Sequence, residues 1–262
     1  MANIATSLGT IGYDQHGAGG VPIVFLHGVG SDKSAWAPQL AHFGKTRRAI
    51  AFDHPGYGES APAAPSYGAP HDRFAHAILA GLDALGIVRA HICGLSLGGI
   101  VAIALAAIAP DRVASLIVAD GFLVHPDSAA IVARSQAASA DMAALAEARV
   151  PILLAPGAGP ALAAELTATM ARIDPAAFRL ASTAVWLADQ RDRAPSIGIP
   201  TLVLCGLLDV VTPPALSAEL AIAIAGARLV TIVGAGHLSN LEQPAAFNAA
   251  LDQFLSEIEQ KS

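Results

Sequence analysis

Short apolar runs recur along the chain and predict the strands of a buried sheet. Longer stretches with helical periodicity separate these runs. The runs are apolar throughout rather than alternating, as expected for parallel strands that helices cover on both faces. The predicted strands are residues 21–26, 48–52, 91–94, 116–119, 201–205 and 229–233, and the predicted helices are about 35–43, 72–85, 98–109, 213–225 and 244–257.

The alternation of strands and helices predicts an α/β fold with a mainly parallel sheet. The segment up to Asp14 is expected to add one or two weaker strands at the edge. Ligands of open α/β sheets bind at the carboxyl edge of the strands. Residues that directly follow a predicted strand are therefore the first candidates for chemistry.

One long stretch interrupts this alternation. Residues 122–193 lie between two predicted sheet strands and contain no convincing strand of their own. Pro151, a proline-rich turn near Pro160, and Pro175 are expected to divide the stretch into three or four helices, because proline cannot continue a helix interior. We expect a helical cap at residues 122–193, inserted into a core of residues 1–121 and 194–262; the alternative is a small helical domain with no role in catalysis.

Composition and charge limit the class of protein. With 262 residues, of which 54% are hydrophobic, the chain can bury a large core without disulfides or metals. Its net charge of −6 comes without a basic cluster, which disfavours nucleic-acid binding. The longest apolar run, residues 98–109, is too short to span a membrane. Without a visible secretory signal, and with Cys93 and Cys205 in apolar stretches, the chain is expected to be cytoplasmic.

Residues 94–98 read Gly-Leu-Ser-Leu-Gly and lie between a predicted strand and a predicted helix. A G-x-S-x-G motif in this context is typical of a nucleophile elbow, a sharp turn that lifts the serine clear of the sheet. The glycines allow the tight turn and a close approach of the helix to the strand. Ser96 is therefore the predicted nucleophile. The alternative is a simple glycine turn.

A serine nucleophile needs a base and a carboxylate that orients it. In elbows of this kind the chain order is serine, acid, histidine. Asp209 follows one predicted strand and His237 follows the next, so both are expected at the carboxyl edge near Ser96. Asp120 also follows a strand and is the alternative acid.

At these residues the chain resembles the α/β-hydrolase family, along nearly its whole length outside the cap. The resemblance implies an α/β-hydrolase fold. It also implies an oxyanion hole formed by the backbone N–H groups of Val29 and Leu97, which would stabilise a tetrahedral intermediate. The residues that carry the resemblance are 27–30 (His-Gly-Val-Gly), 53–60 (Asp-His-Pro-Gly-Tyr-Gly-Glu-Ser), 94–99, Asp209 and His237.

A serine nucleophile implies acyl transfer to water, so the expected activity is that of a serine hydrolase acting on a small carboxylic ester or lactone through an acyl-enzyme. Residues 94–99, 209–214 and 237–244 are similar to the 3-oxoadipate enol-lactonase and carboxylesterase branch. The alternatives are a carbon–carbon bond hydrolase of vinylogous diketones and a non-catalytic small-molecule receptor on the same fold. The carboxylate of such a lactone would need an arginine, and the cap offers Arg134, Arg149, Arg172, Arg179, Arg191 and Arg193 without a means of choosing.

The remaining predictions concern the pocket and its surroundings. His125, Trp186 and Leu238 are predicted to line the substrate pocket; the alternatives are an exposed loop position for His125 and core packing for Trp186. Ser239 and Glu242 have the spacing of a capping box, which would fix the loop that carries His237. Neither metal-ligand spacing nor a G-x-G-x-x-G motif is present, so we expect neither a metal nor a nucleotide cofactor. The oligomeric state is left open.

Overall fold

A computed structural model of the chain describes residues 2–62 and 69–260. Within these ranges the predicted strands all form, together with two further strands at the N terminus. The strands are β1 Ala2–Thr6, β2 Gly9–His16, β3 Ile23–Leu26, β4 Ala49–Phe52, β5 Ala90–Leu95, β6 Val113–Ala119, β7 Thr201–Gly206 and β8 Arg228–Ile232. They build one sheet in the order β1-β2-β4-β3-β5-β6-β7-β8. The pairs β1–β2 and β2–β4 are antiparallel, and the other neighbours are parallel.

Helices fill the connections between the strands. Helix α1 packs on β2, β4 and the last helix, α3 packs on β3, β5 and β6, and α2 packs against α3. The helices are α1 Ala37–Phe43, α2 Pro70–Ala84, α3 Leu97–Ile108, α4 Ser128–Ala138, α5 Met142–Leu153, α6 Pro160–Ala171, α7 Pro175–Trp186, α8 Pro214–Ala223, α9 Ser239–Glu242 and α10 Pro244–Glu259. None of the helices in the described ranges is both long enough and apolar enough to cross a membrane.

Burial along the strands explains their apolar sequence. All residues of β3, β4, β5 and β7 are buried, because these strands lie inside the sheet and helices pack against its faces. Strand β8 differs from the prediction of a fully apolar, fully buried strand, since its residues alternate in exposure and Leu229 is 41% exposed. The cause is position, because β8 pairs only with β7 at the edge of the sheet.

Four helices, α4 to α7, fill the long stretch between β6 and β7. The two ends of this stretch meet where Val124 and Asp189 form an isolated antiparallel bridge. The expectation that Pro151 separates two helices is wrong, because Pro151 lies inside the last turn of α5. Pro160 and Pro175 instead begin α6 and α7, where the missing N–H needs no partner. The interpretation of the stretch as a cap stays a prediction.

The sheet delivers the predicted chemical residues to one edge. Leu95 pairs with Ala119 across β5 and β6, so Ser96 and Asp120 leave neighbouring strands at the same level. Asp209 lies just beyond the end of β7 and His237 beyond the end of β8. Because β3 to β8 all run parallel, the residues that follow them converge at the carboxyl edge.

Candidate active site

Ser96 lies in the turn between β5 and α3, in a backbone conformation that L residues rarely adopt. Its φ is 54° and its ψ is −114°, and its N–H donates to the carbonyl of Ala119 at 2.9 Å. A non-glycine residue in such a conformation carries about 1–3 kcal/mol of strain, and strain of this kind concentrates at functional sites. The serine itself is thus the strained residue of the motif.

The two glycines of the motif serve close packing. A Cβ on Gly98 would lie 2.0 Å from the carbonyl oxygen of Leu26, at the end of β3. A Cβ on Gly94 would lie 2.0 Å from the carbonyl oxygen of Gly98. In both cases the obstacle is backbone, which cannot rotate away as a side chain can. The two glycines therefore allow the start of α3 to pack directly against the sheet.

Gly98→Ala is expected to destabilise the protein by at least the ~1–3 kcal/mol typical of overpacking, and to displace Ser96. Urea unfolding and ester hydrolysis measure the two effects. Gly198→Ala is the matched control, because a Cβ at that position meets nothing within 4 Å. Equal stability of the two variants would contradict the packing argument.

His237 and Asp209 form a buried pair. Nδ1 of the imidazole lies 2.8 Å from Oδ2 of the carboxylate, and both side chains are almost inaccessible. The carboxylate also accepts the N–H groups of Val211 and Thr212 and the hydroxyl of Thr212. These bonds fix the carboxylate, which in turn fixes the orientation of the imidazole through its Nδ1.

Charge and burial compete at this pair. Burial alone would raise the pKa of Asp209, but the charge and hydrogen bond of His237 and the bonds from Thr212 hold it below its ordinary value. Burial alone would lower the pKa of His237, but the carboxylate of Asp209, with a further contribution from Asp120, raises it above its ordinary value. The geometry thus favours a carboxylate next to an imidazole that readily accepts a proton.

Asp120, the alternative acid, has different partners. Its carboxylate accepts the N–H of Gly206 and the hydroxyl of Ser239, and it is fully buried. Burial, followed by the negative charge of Asp209, raises the pKa of Asp120 to about 7. Of the two candidate carboxylates, the structure therefore brings Asp209 to the nitrogen of His237.

A small cavity of about 20 Å³ lies beside Ser96. A cavity of this size has room for about one water molecule. A substrate therefore needs the surrounding side chains to move. The cavity brings together predicted site residues from the core with two residues of α5, and its walls include Val29, Ser96, Arg149, Leu153, His237 and Leu238.

The two predicted oxyanion donors are placed differently. Val29 lines this cavity, and its carbonyl accepts the hydroxyl of the buried Tyr57 at 2.9 Å, which fixes the loop. Leu97 has a fully buried side chain, and its backbone N–H belongs to the first turn of α3, where helix N–H groups lack partners within the helix. The role of both N–H groups stays a prediction.

A second cavity, of about 660 Å³, lies between α4, α5 and the loop after β7. His125 and Trp186 line this outer cavity, whereas the third predicted pocket residue, Leu238, lines the inner one. Arg149 and Leu153 border both cavities. The guanidinium carbon of Arg149 lies 5.9 Å from the ring centroid of Trp186. Arg149 and Leu153 therefore lie between the two cavities.

The model of the alpha/beta hydrolase family matches residues 23–250 of the chain, which include every strand from β3 to β8 and the whole of this site. The chain belongs to the alpha/beta hydrolase family. The predicted fold class and resemblance are thereby confirmed, and the protein is an enzyme of the hydrolase class.

Named relatives cover nearly all of this hydrolase. It is 30% identical to 3-oxoadipate enol-lactonase 2 of Acinetobacter baylyi, over 88% of this chain and 86% of the relative. It is 30% identical to a putative carbamate hydrolase, RutD, of Azorhizobium caulinodans, over 95% and 96% of the two chains. The crystal structure of the enol-lactonase from Burkholderia xenovorans LB400 is similar at a TM-score of 0.89 and 31% identity, over 97% and 100% of the two chains.

Sequence reasoning missed how the loop that carries His237 is held in this hydrolase. The predicted capping box does not form, because Ser239 is the first residue of α9 rather than its N-cap, and its hydroxyl donates to Asp120. Glu242 instead accepts the N–H groups of Gly236 and Leu238, on either side of His237. The spacing of Ser239 and Glu242 pointed to this loop, but not to these partners.

The same loop is tied to α5. The N–H of His237 donates to the carbonyl of Leu153 at 2.8 Å, and the second oxygen of Glu242 accepts the N–H of Ala155 at 2.6 Å. No sequence pattern signals these contacts, because they depend on where the end of α5 comes to lie. The loop that carries His237 is thus held from both the sheet side and the α5 side.

Proposed function

We propose that this hydrolase cleaves a small carboxylic ester or lactone through an acyl-enzyme formed on Ser96. The observation that carries the proposal is one cavity lined by both the strained Ser96 and His237, with the opposite nitrogen of His237 bound to Asp209. A serine hydroxyl becomes a useful nucleophile only when an oriented base accepts its proton. These three residues supply the nucleophile, the base and the orienting group.

The reaction proceeds in two halves. Ser96 Oγ attacks the carbonyl carbon while His237 Nε2 takes its proton, and Asp209 stabilises the imidazolium. The backbone N–H groups of Val29 and Leu97 receive the oxyanion. His237 then returns the proton to the leaving alcohol, or to the opened lactone oxygen, which leaves the acyl group on Ser96. His237 finally activates a water molecule that releases the acid.

We infer that residues 122–193 act as the cap of this site. Arg149 and Leu153 from α5, and Met170 from α6, border the inner cavity. The helices of this stretch therefore supply the wall that faces Ser96. That arrangement supports a role in substrate selection rather than a separate helical domain.

An anionic lactone of the 3-oxoadipate enol-lactone type is the substrate we favour. The two enol-lactonases among the proteins named above support acyl–oxygen cleavage over the carbon–carbon bond alternative. Among the cap arginines, Arg149 borders the inner cavity, and its Nε is buried without a hydrogen-bond partner among the described residues. Burial lowers the pKa of this guanidinium, whose charge a substrate carboxylate would balance.

Two assays on the purified protein test the proposal. A fluorophosphonate probe followed by intact-mass measurement should add one adduct to the wild type and none to Ser96→Ala. Hydrolysis of 3-oxoadipate enol-lactone and of p-nitrophenyl butyrate should both depend on Ser96. An adduct with ester turnover but no lactone turnover would keep the mechanism and reject the favoured substrate. Absence of both adduct and turnover would favour the receptor alternative.

Arg149→Met is expected to lower kcat/KM for the lactone relative to the neutral ester by about ten- to a hundredfold, the range for a lost hydrogen bond to a charged group. Methionine keeps much of the side-chain length and removes the charge. Arg191→Met is the matched control, because Arg191 pairs with Asp189 on the surface. An unchanged ratio in the Arg149 variant would remove the argument for an anionic substrate.

A further inference from the structure

Asp120 shares an unusual backbone property with the predicted nucleophile. Its φ is 49°, and it and Ser96 are the non-glycine residues of the described chain with positive φ. It follows β6 directly and is completely buried. Strained residues persist only where the surrounding structure determines their conformation, and they cluster at functional sites. The strained backbone of Asp120 therefore points to a functional role for this residue.

The carboxylate of Asp120 joins two loops that carry the proposed catalytic residues. Oδ1 accepts the N–H of Gly206 at 2.7 Å, three residues before Asp209. Oδ2 accepts the hydroxyl of Ser239 at 2.5 Å, two residues after His237. One buried side chain thus bridges the acid loop (residues 206–212) and the base loop (residues 234–239).

These two loops are in direct contact above the bridge. The N–H of Leu208 donates to the carbonyl of Ala235 at 2.8 Å. A Cβ on Gly206 would lie 2.0 Å from the carbonyl oxygen of Gly236. The backbones of the two loops therefore approach each other closely at Gly206 and Gly236, next to the carboxylate that binds both loops.

Thr212 connects Asp120 to the Asp209–His237 pair. Its Oγ1 lies 3.0 Å from the backbone carbonyl oxygen of Asp120 and 2.7 Å from Oδ2 of Asp209. The same oxygen lies 3.2 Å from Nδ1 of His237. A hydroxyl has one proton to donate. The backbone carbonyl of Asp120 thus competes with Asp209 for that proton, and the three residues form one network.

We propose that Asp120 is a positioning residue of this hydrolase, which locks the acid loop to the base loop and places a second negative charge behind the imidazole of His237. The proposal rests on the proposed function, because it assigns His237 the role of base. The titratable and charged groups that face this network are Asp209 after β7, Cys205 on β7 and Arg149 on α5. Arg149 opposes the imidazolium, whereas Asp209 and Asp120 favour it.

The charge of Asp120 has a defined direction of effect. Burial, followed by the charge of Asp209, raises the pKa of this carboxyl to about 7, so it gains its charge in the neutral range. An ionised Asp120 raises the pKa of His237. It therefore stabilises the imidazolium that forms while Ser96 attacks. Removal of this charge should lower the pKa of His237, which leaves the base unprotonated down to lower pH.

Asp120→Asn tests the proposal. An amide can still accept the N–H of Gly206 and can donate to Ser239, so the bridge keeps its shape and loses only its charge. We expect the acidic limb of the pH profile of kcat/KM to move to lower pH, and kcat at the optimum to fall about tenfold, equivalent to about one pKa unit of lost imidazolium stabilisation. The Nδ1 proton resonance of His237, followed by NMR across the neutral range, reports the same shift without turnover.

Two further variants keep the test decisive. Ser239→Ala removes one hydrogen bond to the carboxylate of Asp120. It should also move the acidic limb of the pH profile to lower pH, but by a smaller amount. Asp189→Asn is the control, because this carboxylate pairs with Arg191 on the surface and should leave the profile unchanged. The proposal is overturned if Asp120→Asn lowers the thermal stability but leaves both the acidic limb of the pH profile and the His237 resonance where they are. Asp120 would then have only a structural role. Activity retained by Ser96→Ala would instead reject the proposed function itself.

Discussion

Ser96→Ala is expected to lower kcat by about 10⁶-fold while the protein stays folded, the loss observed when a triad nucleophile is removed from a serine protease. The proposed mechanism gives the attacking oxygen no substitute, so substrate still binds but no acyl-enzyme forms. Steady-state kinetics on p-nitrophenyl butyrate and thermal unfolding measure the two properties. Stability should hardly change, because alanine retains the Cβ and therefore the backbone strain at this position.

Ser182→Ala is the matched control for this variant. Ser182 is another buried serine, on α7, and its hydroxyl has no hydrogen-bond partner among the described residues. Its removal should leave turnover unchanged. Ser96→Gly adds a second check, because glycine adopts positive φ without strain. The Ser96→Gly variant should therefore unfold at a higher temperature than Ser96→Ala. Near wild-type turnover in either Ser96 variant would refute the mechanism.

Asp209→Asn is expected to lower kcat by about 10⁴-fold, the loss known for the corresponding change in a triad protease. The amide removes the charge that raises the pKa of His237 and can hold the imidazole in the wrong tautomer. Steady-state kinetics of this variant and of Asp120→Asn, for which about a tenfold loss of kcat is expected, shows which of the two carboxylates contributes more to turnover. The reverse ranking would transfer the role of acid to Asp120.

Much of the fold could be predicted because its signals are local. Apolar runs that are buried on both sides identify the strands of the sheet without knowledge of their neighbours. The placement of Ser96, Asp209 and His237 just beyond strand ends then follows from the topology, since parallel strands end at one edge. The exposed positions of β8 show the limit of this reasoning, because sequence periodicity does not say which strand lies at an edge.

The surroundings of the site could not be predicted, because they depend on how separate elements pack. The six arginines of residues 122–193 are equivalent in sequence, and only the orientation of α5 places Arg149 at the inner cavity. Lys33 is another example, since a lysine in a loop is ordinarily exposed. In the structure it is buried, and its Nζ lies 2.7 Å from the carboxylate of Asp53. Asp53 also accepts the backbone N–H of Lys33, which helps to hold the loop after β3.

The bonds between α5 and the loop of His237 make the geometry of this site depend on the position of that helix. The backbone of His237 is held by Leu153, and Glu242 holds Ala155 while it also binds both neighbours of the histidine. A hinge motion that lifted the end of α5 would break these bonds and release the imidazole from its alignment. In the proposed mechanism, His237 can therefore act as the base only while the end of α5 stays in this position.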